Sequence, residues 1–135
     1  MDFSKDYIEP EKKLFGAWIK PDEKEDVEFR VRPYSKRTYY LSLGVDYDAK
    51  KAEIEAMDDD VKKAAELNKF MSRKLVETFL LDWKNVVING EEVPFSVDKA
   101  TDLLIGSETF MDLFNTAVDK VSTHIEERDD EIEKN

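Results

Sequence analysis

The chain has 135 residues, 41% of them hydrophobic, with one histidine and no cysteine, which is enough for a single domain with a real core. Its 32 acidic side chains outnumber 21 basic ones for a formal net charge of -11, the wrong sign for neutralising nucleic-acid phosphates or settling on an anionic membrane. Without cysteine there is no disulfide framework, thiolate zinc site, iron–sulfur cluster or cysteine nucleophile. No apolar run approaches the ~18 residues of a membrane span, and Met1-Asp2-Phe3-Ser4 opens neither a basic nor an apolar leader, so the expected place of action is the cytosol.

The first elements read as strands. Leu14 to Ile19 is a short apolar run closed by Pro21-Asp22. Val27, Phe29 and Val31 alternate with Glu28, Arg30 and Arg32, and Tyr39, Leu41 and Leu43 alternate with Tyr40, Ser42 and Gly44, with Pro33-Tyr34-Ser35-Lys36 as the turn between the last two. The expectation is a small three-stranded antiparallel sheet within residues 1–45.

From Asp48 the period becomes helical. Ala64, Leu67, Met71, Leu75 and Phe79 share one side of a helix expected over Val61 to Trp83, and Asp58-Asp59-Asp60 divides it from the helix before, one aspartate capping free N–H groups and the others facing the positive end of the helix dipole. Asn89-Gly90 between Val86-Val87-Ile88 and Val93-Pro94-Phe95 is a tight turn. Ser96 caps a short helix to Ile105, Gly106 ends it, and Ser107 caps a last helix in which Phe110, Leu113, Phe114, Ala117, Val118, Val121 and Ile125 keep a three-to-four spacing.

The fold class read from these patterns is α+β, a small N-terminal antiparallel sheet followed by a mainly helical C-terminal region, with a mostly α fold as the alternative. One domain spans 1–135: a β-rich part over 1–45, a helical part over 46–125, and an acidic flexible tail over 126–135. The acidity is concentrated late. Residues 84–135 carry a net -8 against -3 for residues 1–83, and Glu126, Glu127, Asp129, Asp130, Glu131 and Glu133 crowd the end.

Few residues ask for chemistry. His124 is the lone imidazole and has no nucleophile motif near it. Asp58-Asp59-Asp60 and Asp46-x-Asp48 lack the alternating acids, central glycine and closing glutamate of a calcium loop, and Gly16, Gly44, Gly90 and Gly106 stand too far apart for a phosphate cradle. The expectation is no enzyme, no cofactor and no metal. Two surfaces stand out as candidates for partners. Arg30, Arg32, Lys36 and Arg37 are a basic concentration suited to an acidic partner or to the chain's own acidic tail. Phe110, Leu113, Phe114 and Val118 are an apolar helix stripe suited to a partner helix, or to the core.

Leu81 to Ser96 and its surroundings resemble the tail assembly chaperones of long-tailed bacteriophages in the order of their parts. A helix closes on Trp83, Val86-Val87-Ile88 leads through Asn89-Gly90 to Val93-Pro94-Phe95-Ser96, a short helix carries Leu103-Leu104, and a Phe-bearing helix with a charged end follows. The likeness covers roughly residues 75–115. That pattern often has a glycine near position 85, where this chain has Asn85.

The resemblance implies a non-catalytic assembly factor of the host bacterial cytoplasm, absent from the mature virion. Such a factor coats the tape-measure protein, keeps it soluble, promotes tail-tube assembly, contacts the major tail-tube protein, and self-associates as many copies on its partner. An acidic chain with apolar helix faces suits that task, because it is both adhesive and soluble. The resemblance further implies a longer form made by a -1 ribosomal frameshift, and Glu133-Lys134-Asn135 is encodable as GAA-AAA-AAU or GAA-AAA-AAC, which holds a slippery heptamer. The alternative from composition is an acidic interaction module, such as a DNA-mimicking anti-defence or host-takeover protein, although residues 1–83 are nearly charge-balanced for that.

Overall fold

The computed structural model describes residues 1–4 and 7–134, and the side chains of all of these except 45, 122 and 124–134. Pro10 opens α1 (Pro10–Phe15), where its missing N–H forfeits no helical hydrogen bond. Gly16 closes the helix at φ 65°, packed so tightly on the Val31 carbonyl that a Cβ there would collide with its oxygen. The chain then runs through β1 (Ala17–Ile19) and returns antiparallel as β2 (Glu28–Val31), with Ala17 opposite Val31 and Ile19 opposite Phe29. Both strands fall inside the expected runs, the first shortened because Leu14 and Phe15 belong to α1.

The third strand comes from elsewhere than expected. Residues 39–43 lie in α2 (Lys36–Glu55), started by Ser35, whose Oγ accepts the Thr38 N–H at 3.3 Å. A four-residue spacing belongs equally to one face of a strand and one face of a helix, so Tyr39 and Leu43 point inward in either form. Only Leu41 separates the two, and it is 71% exposed, as a helix requires.

The sheet is completed by β3 (Leu80–Lys84), expected as the last turn of a helix. The helix before it, α3 (Asp60–Phe79), starts where predicted: Asp59 Oδ1 accepts from Val61 N at 2.9 Å and Lys62 N at 3.3 Å. It stops at Phe79 with no glycine or proline, because β2 offers an open edge. Val31 pairs with Leu80, Phe29 with Trp83 and Glu28 with Lys84, and Arg32 N donates to Phe79 O at 2.9 Å. Those bonds satisfy the backbone of β2 on its second side, which a longer α3 would leave unpaired. The α+β class and a three-stranded antiparallel sheet of order β1-β2-β3 therefore hold, but the sheet is not confined to residues 1–45.

Beyond β3, β4 (Val87–Ile88) and β5 (Glu91–Glu92) form a hairpin on Asn89 and Gly90, both with positive φ (52° and 80°), the geometry that Asn-Gly favours. Asn85 also takes positive φ, 62°, and its amide donates to Asp26 O at 2.7 Å, which ties the turn after β3 to the approach of β2. Ser96 caps α4 (Val97–Gly106) through Lys99 N at 3.1 Å, and Ser107 caps α5 (Glu108–Lys134) through Phe110 N at 3.1 Å. Gly106 is the last residue of α4 rather than a break after it.

The core lies where β2, α3 and α5 meet. Phe29, Val31, Val76, Ala117 and Val121 are inaccessible to solvent, and Phe79 and Leu80 nearly so. Trp83 joins the last two helices to the sheet, edge-on to Phe95 at 5.3 Å and to Phe110 at 5.9 Å, and Phe29 meets Phe110 edge-on at 5.3 Å.

Candidate interaction surfaces

The helix stripe suggested for a partner is core. Phe110, Phe114 and Val118 are buried and Leu113 packs against the same cluster, because α5 lies with that side on β1 and β2. The apolar side of a helix names its covered face without naming what covers it, and here the sheet does.

The basic set is divided by the fold. Arg30 Nε donates to Phe15 O at 3.1 Å, Arg32 Nε to Leu14 O at 2.8 Å, and Arg32 Nη1 to Thr78 O at 3.0 Å. The two arginines thus serve the last carbonyls of α1, where a helix end is partially negative, and fasten that helix to β2. Burial, with Arg30 close by, draws Arg32 below the usual arginine value. Lys36 and Arg37, in the first turn of α2, are exposed.

Between the N-terminal arm and the start of α2 lies an open groove of about 500 Å³, walled by Phe3, Tyr7, Leu14 and Pro33 over Ile8 and Phe79. The sequence reading missed it, since its lining comes from separate stretches, the N-terminal arm, α1, the turn after β2, the start of α2 and the end of α3. α1 itself has no buried residue.

The α2 and α3 pair is a second exposed surface. Gly44, at φ 41°, kinks α2, and polar contacts align it with α3: Lys74 Nζ with Asp46 at 3.0 Å and Lys50 Nζ with Glu66 at 3.4 Å. Hydrogen bonding to Glu53 and Glu66 raises Lys50 above its ordinary value. Arg73 of α3 reaches both Glu77 and Asp98 of α4, which raises it likewise. Tyr39 packs on Phe79 at 6.4 Å, and burial pushes its phenol up. Tyr40, Leu41, Val61 and Leu67 stay in solvent on this pair.

Among the described residues no three acidic or histidine side chains gather as a metal site, every buried side-chain polar atom has a partner, and no helix is long and apolar enough to cross a membrane. Asp59 is a cap and Asp46 an ion-pair partner. The side chains of His124 and of the acidic end from Glu126 lie outside the described residues.

A model of the YdaY prophage protein family matches residues 40–135. The chain belongs to the YdaY prophage protein family. The match takes in nearly all of α2 and everything after it, hence the α2 and α3 pair, β3, the Asn-Gly hairpin and both C-terminal helices. Of the residues lining the groove, only Phe79 falls within it. No curated protein and no solved structure matches this YdaY-family chain.

Proposed function

We propose that this YdaY-family protein is a tail assembly chaperone of its prophage, binding the tape-measure protein in the host cytoplasm, keeping it soluble and promoting tail-tube assembly, with no catalysis and no cofactor. The observation that carries the reading is the α2 and α3 pair. It lies in the part matched by a prophage family, stays aligned through ion pairs, and leaves Tyr40, Leu41, Val61 and Leu67 exposed in a chain of net -11. Apolar side chains set among charges grip a helical client while the surrounding charge prevents the protein from aggregating with itself. The order of parts from Trp83 to Phe114, like that of tail chaperones, supports the same reading.

The test is co-expression with a tape-measure protein of the same prophage. Soluble recovery of that protein is expected to depend on this chain and to fall severalfold with Leu41→Asp and Leu67→Asp, both at exposed positions. Tape-measure protein that is equally soluble alone, or that never co-purifies, overturns the proposal. Intact-mass measurement with the native downstream DNA is expected to reveal a minority product extended past Asn135 in the -1 frame.

A further inference from the structure

Gly44 is the one residue inside α2 whose backbone is not helical: φ is 41° and ψ -142°, a conformation that glycine alone adopts without strain. Nothing lies within 4 Å of the place a Cβ would take, so no close packing asks for glycine here and the backbone angle alone does. The kink sets the two parts of α2 on different neighbours. Before it, Tyr39 stacks on Phe79 at 6.4 Å, its hydroxyl donates to Met71 Sδ at 3.6 Å, and Leu43 is buried. After it, Asp46 pairs with Lys74, Tyr47 packs on Phe70 at 6.4 Å and Lys50 pairs with Glu66, so this part runs antiparallel along α3, away from Phe79.

The same residues have a second way to form a helix. With Gly44 in the helical region, α2 is one straight rod of 20 residues, about 30 Å long, and no side-chain packing at the hinge opposes the change. Within one copy that form is closed off. Four residues, 32–35, join the end of β2 to the start of α2, so a straight α2 whose second part stays on α3 carries residues 36–43 off Phe79 and draws β2 from β3. The lost pairing is on offer in a second copy whose own β2 has left in the same way.

We propose that Gly44 is the hinge of a domain swap: with α2 straight in two copies, the residues up to 43 of each, carrying β1, β2 and the first part of α2, pack on α3, β3 and α5 of the other. Contacts made across the hinge within one copy are then made between copies, so the balance between the two forms rests on the hinge and on protein concentration. The exchange is reciprocal, which makes the dimer closed and two-fold. This proposal does not rest on the chaperone reading, and each stands if the other fails.

Glu28 and Lys84 give the test, because they face each other across β2 and β3 at a spacing that a disulfide spans, and the chain has no cysteine of its own. With Glu28→Cys and Lys84→Cys, an unswapped copy closes the disulfide on itself, whereas a swapped pair is linked twice and runs at double mass in non-reducing denaturing electrophoresis. The reduced chain is refolded, then diluted before oxidation so that only copies already joined are linked. Refolding at about 1 mM is expected to give a minority of linked dimer that disappears on refolding at about 1 µM. Adding Gly44→Ala is expected to raise association on the order of a hundredfold, about tenfold for each of two hinges, because alanine suits the straight helix and strains at φ 41°. Gly16→Ala, which strains a glycine away from the hinge, is expected to leave the dimer fraction unchanged. A Gly44→Ala chain that stays monomeric overturns the proposal, as does one that dimerises with its disulfides closed within each chain, or a Gly16→Ala chain that dimerises as much. If the Gly44→Ala chain does not fold, the cysteine pair alone decides: no linked dimer after refolding at about 1 mM overturns the proposal.

Discussion

The stretch from Trp83 to Phe95 and the stretch from Met1 to Phe15 both connect or flank the sheet with only short regular elements, yet they are fastened in different ways. The first hangs on one indole. Trp83 is 5% exposed, its Nε1 donates to Val93 O at 2.7 Å, Val93 N donates to Val86 O at 2.8 Å, and Phe95 packs edge-on against the ring. The second is held by Ile8, the tight seat of Gly16, and arginine hydrogen bonds to the carbonyls of Leu14 and Phe15, while α1 buries nothing. A buried aromatic contributes area and a hydrogen bond together, so its loop is part of the core. Hydrogen bonds made at the surface exchange with water and contribute less, which leaves the arm's apolar groups facing outward.

Four substitutions would sharpen or break that comparison. Trp83→Ala is expected to cost about 4 kcal/mol in urea unfolding, from the cavity and from Val93 O losing its donor. Gly16→Ala is expected to cost about 2–3 kcal/mol, since the residue holds φ 65° and the new methyl meets the Val31 carbonyl between β1 and β2. Ile8→Ala is expected to cost about 2 kcal/mol, the low end for such truncations, because the residue sits at the edge of the core. Phe15→Ser, at a side chain 65% exposed, should move stability by no more than about 0.5 kcal/mol. Should Ile8→Ala cost as much as Trp83→Ala, the arm is as firmly built in as the Trp83 loop, and the comparison fails.

Much of this architecture was legible residue by residue. Asp59, Ser96 and Ser107 act as the caps their positions implied, and Asn89-Gly90 makes the turn it encodes. Tyr39, Leu41 and Leu43 misled because two periodicities coincide at a spacing of four. Leu80 to Lys84 misled because their apolar pattern continues that of α3. The candidate surfaces were harder still. Phe110 and Phe114 were visible as an apolar face, but only α5 lying on the sheet shows that face to be covered, and Arg30 and Arg32 were visible as charge, but only α1 shows that their guanidinium groups bond its carbonyls.

The groove was invisible for a related reason. Its residues run from Phe3 to Thr38 and then jump to Phe79, and no local pattern joins them. By itself the sequence determined the charge distribution, the caps, the hairpin turn and the helical character of the C-terminal half, all set by interactions within about four residues of one another. The tertiary structure alone decided that residues 80–84 become a strand, that residues 39–43 remain helical, and which apolar faces are covered. Those choices depend on partners far away in the chain, as when Val31 finds Leu80. A backbone donor or an apolar face carries no mark of its partner until the chain has folded.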